Sequence, residues 1–299
     1  MPSEKHVGLI GAGTMGELVV QSLVQAGYRV LVYDAFEPAL ARAQERGGLP
    51  APTPAAVARQ AETILMLLPG PPQIEAVVAG EAGLIEAGGP GKTIIDMSTV
   101  DPKTTRRLAA QAALVGMDYL DVPILGRPSA HGNWVLPVGG EAHVLERCRP
   151  ILSVLGREII HVGPLGAANT LKLLNAMMFS AINAMTAEMM AIAQKAGMEP
   201  GVLFSTISGS EAATVSGLFK EVGAKIAARN FDPIFSIDLL AKDNGLAVKM
   251  AKGFGAPPLL AGTIQTINEL AQAQGLGGED TSALVKVYEA LLNVKREDL

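Results

Sequence analysis

The chain has 299 residues, 49% hydrophobic and 18% charged, with a formal net charge of −5 at pH 7, which describes a globular chain long enough for two ordinary domains and not a disordered one. A mildly acidic chain lacks the field that nucleic acid or an anionic membrane surface would need as a partner. The single cysteine, Cys148, excludes an internal disulfide and a cysteine metal cluster, and His6, His131, His143 and His161 show no paired ligand spacing, so no metal site is expected.

The opening, MPSEKHVGLIGAG, has no signal-peptide apolar region ending at a cleavage site. The expectation is a soluble cytoplasmic protein. The apolar run His6–Ile10 predicts a strand. It leads into Gly11-Ala12-Gly13-Thr14-Met15-Gly16 and an amphipathic helix over Glu17–Ala26. Gly11 permits the tight turn, Gly13 lets backbone approach a pyrophosphate with no Cβ in the way, and Gly16 lets the helix pack on the strand. The helix start then offers N–H groups and partial positive charge to phosphates. Such a glycine set alone is weak evidence, but here the second strand, Arg29–Tyr33, ends at Asp34, where a ribose-binding carboxylate belongs. A carboxylate there binds both adenine-ribose hydroxyls and repels a 2′-phosphate. Ala35, Phe36 and Glu37 follow it without an arginine, so NAD is predicted over NADP, although Arg42 is a cation near enough in sequence to reach the same site.

Further apolar runs follow at Thr63–Leu68, Thr93–Met97, Tyr119–Val122, Val135–Val138 and Glu158–Val162, with amphipathic segments at Thr104–Leu114 and Ala142–Leu155. This alternation predicts a parallel, doubly wound α/β sheet. Ser98 and Thr99 stand at the carboxyl end of a strand, where ligands sit in open sheets of this kind. The plainer alternative is a loop before a helix capped by Asp101 with Pro102 in its first turn.

After Gly163 the strand signals stop. Asn169–Ala196 reads as one long helix, apolar nearly all round and therefore buried between layers, with Gly197 as its stop. Its most apolar stretch, Leu173–Ala187, falls short of the roughly 18 residues a bilayer span takes, so no membrane partner is expected. The remainder, to Leu299, is helical pattern broken by Gly-Pro punctuation. The predicted organisation is a Rossmann-type α/β domain over residues 1–163, then a long interdomain helix and an all-α domain over residues 164–299.

Asn169, Lys172 and Asn175 form a polar stripe near the start of the long helix, at i, i+3, i+6. Oxidising an alcohol takes a hydride acceptor and a base for the hydroxyl proton. A lysine serves as that base if partial burial lowers its pKa. The stripe is equally that of a snorkelling lysine with two asparagines as local caps.

Four segments in order resemble the β-hydroxyacid dehydrogenases, the family of 3-hydroxyisobutyrate dehydrogenase, tartronate semialdehyde reductase and glyoxylate reductase. They are Gly8–Gly16; Asp96-Met-Ser-Thr-Val100 with Pro102, Thr104 and Thr105; Gly163–Gly166 leading to Asn169, Lys172 and Asn175; and Lys242-Asp243-Asn-Gly-Leu-Ala247. The similarity covers essentially the whole chain. It implies an NAD(P)-dependent enzyme acting on the CH–OH group of a small β-hydroxy acid, and a homodimer or tetramer. It makes Lys172 the general acid/base and Asn175 a substrate-orienting group. Ser98 and Thr99 then stand beside nicotinamide and substrate, and Leu68, Pro69, Lys242 and Asp243 on the cofactor.

The family's pocket motif, Asp-x-Pro-Val-Ser-Gly-Gly, appears here as Asp121-Val-Pro-Ile-Leu125-Gly126-Arg127. Either backbone N–H groups still hold a substrate carboxylate, aided by Arg127, or the anion site is lost and a more apolar substrate binds. Trp134 either walls the pocket or fills the core. His131, His161 and Cys148 read as structural. Two other functions compete: an imine reductase of like fold, which usually lacks a lysine at the position of Lys172, and a non-catalytic dinucleotide-binding module.

Overall fold

The structure, a computed structural model, describes residues 6–210 and 216–294; the last residues of the predicted helical pattern, 295–299, lie outside them. The chain divides into two compact units, Met1–Lys172 and Leu173–Leu299.

The first unit alternates strands and helices: β1 (His6–Ile10), α1 (Thr14–Gln25), β2 (Arg29–Tyr33), α2 (Glu37–Glu45), β3 (Leu49–Pro50), α3 (Pro54–Gln60), β4 (Thr63–Met66), α4 (Pro71–Ala79), β5 (Thr93–Asp96), α5 (Pro102–Ala113), β6 (Asp118–Asp121), β7 (Trp134–Gly139), α6 (Ala142–Leu155) and β8 (Gly156–Gly163). The sheet runs β3-β2-β1-β4-β5-β6-β7-β8. Strand order reverses between β1 and β4, which opens a crevice at their carboxyl ends. Side-chain alternation sorts the strands onto two cores. Leu9, Val32, Leu65, Ile95 and Leu120 pack on one face with α1 and α6. Ile10, Leu31, Ile64, Met66, Ile94 and Tyr119 pack on the other with α3 and α5. Both faces are covered, so the strands read as unbroken apolar runs.

The sheet departs from the parallel expectation at one place. β6 and β7 are antiparallel, paired at Asp121 and Gly139. Their connection carries only a short 3₁₀ turn, Pro128–Ala130, and no α-helix to return the chain to its starting end. Between β7 and β8, α6 makes that return and the pairing is parallel. Asp101 caps α5 as predicted, accepting from Thr104 N at 3.1 Å, with Pro102 next.

α7 (Ala167–Lys195) begins in the first unit and continues into the second; Gly197, at φ +83°, follows its end. The second unit adds α8 (Pro200–Ser208), α9 (Gly217–Ala227), α10 (Ile237–Gly253), α11 (Leu259–Ala273) and α12 (Leu284–Leu291). Ala187, Met190 and Ala191 of α7 share its core with Val222, Ile226, Ile237, Leu240, Ala271 and Leu284. The expectation that α7 is buried all round is corrected. Leu174, Met178, Met185 and Ile192 recur along it at helical spacing and are exposed. Its apolar composition covers both a core face and an open stripe. By length and composition alone α7 passes as a membrane span, but half of its apolar window is buried, as in the core helix of a globular protein.

Candidate active site

The turn after β1 is built around its glycines. Gly11 adopts φ +94°, and a Cβ there would meet Leu67 O at 2.2 Å; one on Gly16 would meet Gly11 O at 2.1 Å. Gly13 differs: nothing lies within 4 Å of where its Cβ would be. That open space stands at the start of α1, whose first N–H groups have no side-chain cap. Ala12, Thr14 and Met15 complete the turn. From the end of β2, Asp34 Oδ2 accepts from Ala12 N at 2.6 Å and Oδ1 from Phe36 N at 2.8 Å. A carboxylate therefore lies against the glycine turn. Arg42 is engaged elsewhere, its Nε 3.1 Å from Glu17 Oε2. The cradle at Gly13 and the carboxylate beside it fit a dinucleotide, with pyrophosphate at the turn and ribose at Asp34.

The ends of β4 and β5 are tied together by Ser98. It is buried, its Oγ accepts from Leu68 N at 2.9 Å and faces Met66 O at 3.4 Å. Its hydroxyl thus holds the loop at Leu68 and Pro69 rather than pointing into open space. Ser98 N donates to Asp96 Oδ1 at 3.0 Å and Tyr119 Oη to Asp96 Oδ2 at 2.9 Å. Burial raises the Asp96 carboxyl to about 6 against those two donors. Thr99, half-buried, follows.

Asp121, at the end of β6, is fully buried. Its oxygens accept from Gly166 N and Asn169 N, each at 2.8 Å. Asn169 in turn accepts from Val100 N at 3.1 Å and donates to Thr105 Oγ1 at 3.3 Å. One turn on, Lys172 Nζ donates to Ile124 O at 2.8 Å from a partly buried position. The loop beyond Ile124 is pinned to β7 by backbone bonds between Leu125 and Val135. Gly126 is exposed, and a Cβ on it would meet Trp134 Cδ1 at 2.4 Å. Trp134 is a core residue, 0% exposed, and its Nε1 donates to Arg127 O at 2.9 Å. His131 secures the same loop to α1: its Nε2 lies 2.7 Å from Ser22 Oγ and 3.1 Å from Leu18 O. Cys148 is buried, and His161 Nε2 lies 2.7 Å from Gly140 O.

The first unit thus brings together Asp34 and the glycine turn, Ser98 and Leu68, and Lys172 and the loop carrying Leu125, Gly126 and Arg127. Asn175, one turn beyond Lys172, is exposed and belongs to the second unit, as do Lys242 and Asp243. The last two are not a free surface pair. Asp243 is 6% exposed, and Lys242 Nζ stands 2.8 Å from its Oδ1 as an ion contact without hydrogen-bond alignment. No group of three or more potential metal ligands occurs among the described residues. From sequence, Asp96 and Asp121 are named inside family motifs and Tyr119 inside a strand, but none of them is given a role of its own. The available signal was an aspartate closing an apolar strand, where burial is costly without partners.

Residues 6–163 match the family model described as the NAD binding domain of 6-phosphogluconate dehydrogenase. Residues 166–288 match that described as NAD-binding of NADP-dependent 3-hydroxyisobutyrate dehydrogenase. The chain belongs to the β-hydroxyacid dehydrogenase family. It is 32% identical over 296 residues to a 2-(hydroxymethyl)glutarate dehydrogenase of Eubacterium barkeri, covering 98% of each chain. It is 33% identical over 284 residues to a 3-sulfolactaldehyde reductase of Escherichia coli, covering 94% of each. A crystal structure of 3-hydroxyisobutyrate dehydrogenase from Salmonella typhimurium superposes with a TM-score of 0.86 at 25% identity, covering 95% of this chain and 99% of that one. The dehydrogenase is accordingly an NAD(P)-dependent oxidoreductase of the class acting on hydroxyl groups of small hydroxy acids. An imine reductase from Pseudomonas shares the fold more distantly, at 20% identity and a TM-score of 0.58.

Proposed function

We propose that this dehydrogenase interconverts a small anionic 3-hydroxy acid and its carbonyl compound with NAD, and that Lys172 handles the hydroxyl proton. The observation that carries the reading is the Lys172 ammonium, partly buried and bonded to Ile124 O at the root of the loop bearing Gly126 and Arg127. In its neutral form Nζ accepts the substrate hydroxyl proton; in its charged form it returns one to the carbonyl oxygen. A bound dinucleotide supplies the hydride acceptor or donor. Asn175, on the same helix one turn along, orients the substrate oxygen. Gly126 offers backbone and Arg127 a guanidinium to the substrate anion, while Leu125 in place of the family's serine makes the pocket less polar.

Asp34 supports NAD over NADP, because a carboxylate at the ribose repels a 2′-phosphate and Arg42 is paired with Glu17. Lys242, Asp243, Thr99, Leu68 and Pro69 complete the cofactor set in this reading. The names of two relatives, a hydroxymethylglutarate dehydrogenase and a sulfolactaldehyde reductase, support a small substrate carrying an anionic group. We also read the protein as cytoplasmic, and as a homodimer or tetramer; the exposed apolar stripe of α7 supports the oligomer.

The test is Lys172→Ala. Loss of a general acid/base is expected to lower kcat by about 10²–10⁴-fold while NADH still binds. A variant keeping more than about a tenth of wild-type kcat overturns the assignment.

A further inference from the structure

We propose that Asp121 is a positioning residue for Lys172: its carboxylate clamps the first turn of α7 to the end of β6 and so sets where Lys172 meets the substrate loop. The proposal rests on the reading of Lys172 as the proton-transfer group.

The geometry is that of a template. Asp121 and Ile124 lie three residues apart in one segment. Asp121 takes the amides of Gly166 and Asn169, and Ile124 takes the ammonium of Lys172, three residues further along α7. Lower and upper contacts thus fix the helix and the lysine against the same stretch of backbone. The bond to Asn169 N also orients Asn169, whose side chain holds Val100 N in the loop just after Ser98 and Thr99. One carboxylate therefore registers α7 against the ends of both β5 and β6.

Space is kept for it. Across the β6–β7 pair, a Cβ on Gly139 would meet Asp121 Oδ1 at 2.3 Å. The site is also costly: burial raises the Asp121 pKa, opposed by backbone amides at Gly166, Asn169, Asp121 itself and Ala168. A helix start favours negative charge, and charge-assisted bonds are short and directional. A carboxylate therefore holds the register more firmly than a neutral side chain. Catalysis is sensitive to register, since a 1 Å misplacement costs about 10²-fold in rate.

Asp121→Asn keeps the shape but sets an NH2 group against one of the two amides. The expected result is a kcat lower by about 10–100-fold, with NADH affinity unchanged and a cooperative thermal transition. The deciding comparison is a double-mutant cycle in single-turnover rates. If Asp121 acts through Lys172, Asp121→Asn has no further effect in a Lys172→Ala background. Losses that multiply, or an Asp121→Asn enzyme with wild-type kcat, overturn the proposal and leave the Lys172 reading standing. A fully active Lys172→Ala enzyme overturns both. Should Asp121→Asn not fold, Gly139→Ala, which crowds the carboxylate without removing its charge, takes its place in the cycle and carries the same expectation. Failure of both to fold makes Asp121 a folding residue and overturns the proposal.

Discussion

Asp34 follows β2 after the glycine turn, the place from which the sequence proposes a ribose-binding role for it. The structure adds that its carboxylate lies against Ala12 N. Arg42, which sequence left as a rival influence on the same site, is paired with Glu17. Replacing Asp34 by Ser together with Ala35→Arg is expected to raise kcat/KM for NADP relative to NAD by at least about tenfold, by removing repulsion and adding a cation for the 2′-phosphate. Initial rates with both cofactors check this. A wild-type enzyme that uses NADP as efficiently as NAD contradicts the role given to Asp34. Trp134 was undecided between pocket and core because its sequence neighbours suit either. The neighbours that decide it come from the sheet and from Arg127 O, far from it in pattern.

At the scale of elements, legibility tracked period and length. β1, β2 and α6 are plain in the sequence because their apolar spacing is long and regular. The two-residue β3 and the short helices α2, α3 and α4 are not. They are held by their neighbours, and α3 also by its cap Thr53, whose hydroxyl accepts from Ala56 N at 3.0 Å. The antiparallel turn of β7 was hidden because a strand's sequence does not record its direction. The partners of the buried acids were illegible for a related reason: Asp96 and Asp121 lie inside predicted strands, but the groups that satisfy them, Ser98 N and Tyr119 Oη for one and Gly166 N and Asn169 N for the other, come from outside the strand that carries each.

Asp96 has a measurable consequence. Its folded pKa of about 6 exceeds the ordinary value of 3.8, so between those values the folded state keeps a proton that the unfolded chain loses. Its contribution to stability is present below about pH 4 and lost as pH rises through about 6, a swing of about 3 kcal/mol. Asp96→Asn is expected to remove that slope. Urea unfolding at pH 4.5 and pH 7 should show the wild type losing stability relative to the variant as pH rises, and identical slopes contradict the burial account.

At the scale of the whole molecule, the ordered motifs carried the resemblance to the family, and the match of both halves to family models bears that out. What composition did not convey is how α7 spends its apolar residues. Leu174, Met178, Met185 and Ile192 form an open stripe, which the proposed homo-oligomer would cover. Light scattering at micromolar concentration is expected to give two or four times the 31.0 kDa chain; a single chain mass contradicts the oligomer. Hydride transfer at the hydroxyl carbon of a β-hydroxy acid is read out by one assay of nicotinamide absorbance. The assay takes 3-hydroxyisobutyrate, serine and glycerate, each with NAD and with NADP, and a cyclic imine with the reduced cofactors. Oxidation of at least one hydroxy acid is expected, faster with NAD than with NADP, with no imine reduction. Inactivity toward every hydroxy acid with either cofactor, alongside reduction of the imine, would contradict it.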